Sequence, residues 1–243
     1  MVEGILCRLR TGVPWRDLPE HDGPWHSVDA RFRRWQQAGV WDRALAALQA
    51  DADGRGELDW SLHFLDATNV RAHPHAAGAK KGAAIKPLAA RGVAGGPSST
   101  CAPNAAASLR TERGGKPVTW TLTGGQTGEA TQVAALLAGG AVARRGAKAR
   151  VRPRRVAADR AYTGRTIRRS LRSCGIGAVI PRQVLEPRRG VRFDRAAYRE
   201  RNVVERAIRR LKHHRAIATR YDTLAVTVHA TLTLAVILLW LPV

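Results

Sequence analysis

Between Arg144 and Arg220 the chain holds 25 Lys/Arg against 5 Asp/Glu, a net of 25 − 5 = +20. The whole chain of 243 residues carries +22, so under a third of its length holds nearly all of the imbalance. The charge excludes a strongly basic partner and makes a polyanion the first expectation. A compositional bias toward Arg, Ala and Gly accounts for Arg in place of Lys. It accounts less well for acids avoiding one stretch, which favours contact with nucleic acid. Hydrophobic residues make up 44% and charged residues 25%, which is enough apolar material for a folded core.

The first fifty residues read as helices. Val28, Phe32 and Trp35 recur at i, i+4 and i+7, and so do Trp41, Leu45 and Leu48. Gly39 is placed to turn the chain between the two stripes. The pair fits a helix-turn-helix or any other helical hairpin, and the spacing does not choose between them. Asp51–Gly56 is expected to be a linker, dividing a helical region 1–52 from a second region 53–243.

Beyond it the period changes. Leu58–Val70 predicts a short strand ending near Asp66, and Val118–Thr123 alternates as a strand does. Arg155–Asp159 and Ala178–Ile180 are short apolar runs. Helical stretches separate them at Glu129–Leu137, Thr163–Ser173 and Tyr198–Arg215. Strands alternating with helices predict an α/β fold with a mixed sheet. Ala89–Ala107 is rich in Ala, Gly, Pro and Ser and is expected to be loop.

Cys7, Cys101 and Cys174 fit neither a zinc motif nor a closed disulfide framework, which predicts a reducing cytoplasm. The opening Met1-Val2-Glu3-Gly4 has no basic leader followed by an apolar run. The apolar segment Val226–Val243 contains His229 and three threonines and is barely long enough to span a bilayer. A buried core helix is the better reading, so no membrane partner is expected.

Two acids close apolar strands: Asp66 in LDATNVRAH and Asp159 in VAADRAY. An acid there can point into the crevice where open α/β sheets bind ligands, or can simply cap a turn. Tyr198, Arg201, Glu205 and Lys212 are spaced by three, four and seven residues. At 100° per residue those offsets fall within about 60° of arc, on one helical face. The same spacing also suits a solvated basic helix with one acid in an i, i+4 pair.

YRERNVVERAIRRLK resembles the Y-(2)-R-(3)-E-(6)-K signature of bacterial insertion-sequence DDE transposases of the IS-five-like group. FLDATNVRAHPHAAGAKKG resembles the family's first-aspartate segment and VAADRAYTG its second. VEGILCRLRTGVPWRDLPE and WHSVDARFRRWQQAGVWDR resemble its N-terminal helical region. The resemblance implies a ribonuclease-H-like mixed sheet with flanking helices, preceded by a small helical, DNA-binding region. It implies Asp66, Asp159 and Glu205 as a catalytic triad holding two Mg²⁺ (or Mn²⁺) ions. It also implies DNA contacts at Tyr198, Arg201 and Lys212, with Arg71, His73 and His75 close to the DNA end. The implied partners are the terminal inverted repeats and target DNA, engaged by a homo-oligomer. A basic structural protein does not account for three acids in family order.

Two departures carry expectations of their own. Family members have a further helical segment before the point where this chain begins, which implies a truncated DNA-binding region. Within 83–107, RGVAGGPSSTCAPNAAAS stands where the family has an apolar strand resembling G-G-L-S-T-K-[IV]-H. The resemblance as a whole implies a transposase that cleaves and joins phosphodiester bonds at the ends of an insertion sequence; the divergent segment leaves as the alternative a damaged copy with an impaired sheet that only binds DNA.

Overall fold

The computed structural model describes residues 1–73, 88–89, 104–124, 129–182 and 193–241. Three helices open the chain: α1 (Val2–Thr11), α2 (Trp25–Gln37) and α3 (Val40–Gly54). The turn between α2 and α3 is at Gly39, whose φ of 63° a side-chain-bearing residue adopts only at a cost. The expected linker is partly helix, because α3 runs through Asp51 to Gly54. Ala52 explains this: it is buried in the core on the same stripe as Leu45 and Gln49, so burial extends the helix by a turn.

Strand β1 (His63–Ala72) follows, then β2 (Leu88–Ala89), β3 (Asn104–Thr111) and β4 (Pro117–Gly124). The chain continues through α4 (Val133–Ala138), a hairpin of β5 (Val142–Arg144) and β6 (Ala147–Arg150), and strand β7 (Arg155–Ala158). Next come α5 (Arg165–Ser173), β8 (Gly177–Val179), α6 (Arg195–Arg199), α7 (Asn202–Lys212) and α8 (Arg215–Ala218). Strand β9 (Thr219–Arg220) and helix α9 (Ala225–Trp240) close the described chain.

The main sheet has the order β2-β4-β3-β1-β7-β8, with β9 also paired to β1. β1 pairs antiparallel with β3 from Phe64↔Thr111 to Arg71↔Asn104. Its other edge pairs parallel with β7 up to Leu65↔Ala158 and parallel with β9 from Arg71↔Thr219. Helices cover both faces. Leu65 joins Val133, Leu136, Tyr162 and Leu171 on one side. Leu62 and Phe64 join Ala157, Ala197 and Val204 on the other. This is the mixed α/β architecture expected from the sequence.

The loop expected over Ala89–Ala107 is corrected at both ends: Ala89 pairs with Thr121 in β2–β4, residues 104–107 are strand, and Ala105–Ala107 are buried. The small side chains mask the strand signal, but they suit a central strand packed on both faces. Residues 90–103, which hold most of the divergent segment, lie outside the described residues.

α9 is buried almost all round, as expected of a core helix. Among the described residues no helix is long and apolar enough to cross a membrane. The helices of 1–54, the β3–β4 pair and α9 share one apolar core. Across it Arg8 donates to the Asp222 carboxylate at 2.8 Å.

Candidate active site

The last rung of parallel pairing between β1 and β7 is Leu65↔Ala158, and the next residues are Asp66 and Asp159. Side chains alternate across a strand, so Asp66 is on the face of Leu62 and Phe64, and Asp159 on that of Ala157. That is the face on which α6 and α7 pack. The two aspartates therefore leave neighbouring strands side by side, beneath the helix carrying Glu205. Asp66 is four residues into β1 rather than at its end. The expected strand end marks where burial relaxes, not where pairing with β3 stops.

The predicted continuous helix Tyr198–Arg215 is broken. Tyr198 belongs to α6, Arg201 is the residue before α7, and Glu205 lies in the first turn of α7. The bonds across the break, Arg201 N–H to Tyr198 C=O and Val203 N–H to Glu200 C=O, are of the tighter i→i−3 kind. Asp194 caps α6 by accepting from the Ala197 N–H at 2.9 Å, which starts a separate helix. Tyr198, Arg201 and Glu205 still meet. The Arg201 guanidinium is 5.8 Å from the Tyr198 ring centroid. It donates to Glu205 Oε1 at 2.7 Å and lies 3.9 Å from Asp66 Oδ2.

Arg201 thus spans two of the three acids. Burial holds the Asp66 carboxyl above its usual range. The Ala67 N–H at 2.9 Å and Arg201 oppose that rise, and the negative charges of Asp159 and Glu205 add to it. Asp159 and Glu205 therefore both act electrostatically on Asp66. Asp159 also accepts from the Ala161 N–H at 2.8 Å, so it is a cap as well as an acid.

Carboxylate oxygens are the hard donors a divalent cation prefers, and mutually repelling acids need a counter-charge, so the donor set fits such an ion. Among the described residues, however, no three acids stand close enough together to grip one. Glu205, with 46% of its side chain exposed, is turned to Arg201 instead.

The other predicted contacts lie further off. Lys212 is exposed at the last residue of α7, about 10 Å along the axis from Glu205. Arg71 and His73 follow Asp66 by five and seven residues, on the order of 17–23 Å along the strand direction. The structure does not bring them to the triad. His73 instead stacks on Tyr221, with ring centroids 4.5 Å apart, and its N–H donates to Arg220 C=O. Tyr221 was not singled out by sequence; an aromatic between Arg220 and Asp222 was the available signal. His75 lies outside the described residues.

Residues 1–45 match the family model described as "Putative transposase of IS4/5 family", and residues 156–242 match the model described as "Transposase DDE domain". The second segment contains Asp159, Tyr198, Arg201, Glu205 and Lys212, whereas Asp66 lies outside both. The uncharacterized protein y4sN of Sinorhizobium fredii is 44% identical over 80 residues, 33% of this chain and 59% of its own length. The insertion element IS402 uncharacterized 16.2 kDa protein of Burkholderia cepacia is 42% identical over 71 residues, 28% of this chain and 48% of its own length. The chain thus spans between about half and three fifths of the curated relatives it matches. No solved structure matches it.

Proposed function

We infer, for a chain related by sequence to the DDE transposases of bacterial insertion sequences, that it cleaves and joins phosphodiester bonds at the ends of such an element. The observation that carries this reading is the placement of Asp66 and Asp159 one step beyond the same rung of β1 and β7. A chance pair of acids on neighbouring strands has no reason to share a register, and none to be roofed by the helix that carries a third acid.

Asp66, Asp159 and Glu205 are the residues to hold two divalent ions, Mg²⁺ or Mn²⁺. Bound there, such ions activate the attacking oxygen and neutralise the leaving one. The chain's own contribution is positional. The strands fix the two aspartates, while Glu205 sits on a helix turn and is free to change partner. Arg201 holds Glu205 and faces Asp66 across one guanidinium, whose planar donors also match phosphate oxygens. Tyr198 packs beside it and can lie against a sugar or base. Lys212, further along α7, meets the phosphate backbone. DNA ends and target DNA are the partners, held by a homo-oligomer.

The test uses duplex DNA carrying the inverted repeats that flank the coding sequence. Metal-dependent nicking by the wild type, lost in Asp159→Ala and in Glu205→Ala, supports the reading. Salt-sensitive binding without nicking would assign the chain to the DNA-binding remnant implied by its divergent 83–107 segment.

A further inference from the structure

Seven of the fourteen residues from Val142 to Arg155 are Arg or Lys, and none is Asp or Glu. The structure folds the first part of this run into the hairpin β5–β6, with Gly146 at φ 69° in the turn. Its root is clamped. The fully buried Arg110 guanidinium donates to Gly139 C=O and Gly140 C=O on the entering chain and to Val151 C=O on the leaving chain. Val142 anchors the base in the core beside α3. The stem cations are already engaged: Arg144 is 3.1 Å from the Asp53 carboxylate, and Arg150 lies over the Trp60 ring at 4.9 Å. Trp60 in turn donates to Asp53 at 2.6 Å.

The tip is different. Arg145 and Lys148 are exposed, and neither belongs to an ion pair among the described residues. Around them Ala143, Gly146, Ala147 and Ala149 are exposed and small, so the ribbon is thin as well as cationic. α3, packed beside the stem, carries Asp42, Asp51 and Asp53 against a single Arg43. It therefore offers a phosphate no net attraction. The hairpin leads into Arg155 at the start of β7, while Asp159 follows its other end.

We propose that the β5–β6 hairpin is a rigid arm that binds duplex DNA through phosphate contacts from Arg145 and Lys148, apart from the catalytic contact. A two-stranded ribbon is of a size that the major groove admits, and exposed Arg and Lys among small neighbours can reach the phosphate oxygens that line it. The arm rests on the transposase reading and adds to it a second point of grip.

The experiment measures duplex affinity by fluorescence anisotropy over a salt series, for the full chain and for Arg145→Ala/Lys148→Ala. The double variant should weaken binding and flatten the slope of log affinity against log salt by about two units. Arg145→Lys/Lys148→Arg should restore the wild-type slope, and melting temperatures should match throughout, since neither side chain is buried. An unchanged slope in the alanine variant, with the wild type binding normally, overturns the arm alone. A wild type that binds no duplex overturns the transposase reading with it. Loss of binding to anionic vesicles with duplex affinity intact would assign the tip to a lipid surface and also overturn the arm.

Discussion

Asp66 and Asp159 each stand one residue past the final rung, Leu65↔Ala158, that joins β1 to β7. Parallel strands in register carry their successive residues forward together, so the two acids stand at one level, Asp66 still within β1 and Asp159 just past β7. Everything proposed for this chain starts from that shared level.

The cost of collecting acids there should be measurable. Burial and repulsion hold the Asp66 carboxyl above its usual range, so the folded chain binds that proton more tightly than the unfolded one. The stability from this group is present below the ordinary carboxylate value of 3.8 and is lost as pH rises through the folded value. Asp66→Asn should therefore melt higher than wild type at pH 7 in EDTA, with the gap narrowing as pH falls. Equal melting temperatures at pH 7 would show that the acids do not strain the fold.

His63 gives the opposite sign. Its ring is buried against Trp60, and burial together with the positive charge of Arg110 pulls it from 6.5 down to about 3. A depressed value means stability that is present above 6.5 and lost as pH falls toward about 3. Through that window the group should contribute a slope of up to ~1.4 kcal/mol per pH unit. Urea denaturation of wild type and His63→Leu at several pH values should show this slope only in the wild type. Parallel curves would mean that the histidine is protonated in the folded chain.

The Arg8–Asp222 pair joins the first helix to the segment before α9, with both side chains largely buried. Asp222→Ala leaves the guanidinium without its carboxylate and should cost about 3 kcal/mol. Replacing both, as Arg8→Met/Asp222→Leu, should cost less than the single change. Equal losses would show that the pair acts through packing alone.

On α7, Lys212→Ala should weaken DNA affinity and lower the salt slope by about one unit. A slope equal to wild type in anisotropy titrations would take Lys212 off the DNA path.

Much of this was legible before any coordinates, for local reasons. Apolar runs ending in Asp66 and Asp159 marked their strands, and the apolar stretch at the C-terminus marked α9. What stayed hidden depends on partners distant in sequence. β3 is built at Ala105–Ala107 from residues with little strand propensity, and it is held by β1 and β4 on either side. The break before α7 lies in the tighter i→i−3 bonds at Arg201 and Val203, which the i, i+3, i+7 spacing of Tyr198, Arg201 and Glu205 does not register. The hairpin was visible only as excess charge, because its order comes from Arg110, 29 to 41 residues away.

The most direct measurement is Mn²⁺ binding, followed by the loss of the free ion's electron paramagnetic resonance signal. The wild type should take up Mn²⁺, and Asp66→Ala, Asp159→Ala and Glu205→Ala should each weaken uptake markedly while remaining folded. Uptake unaltered in all three variants would contradict the account, because the acids in β1, after β7 and on α7 would then share no ion.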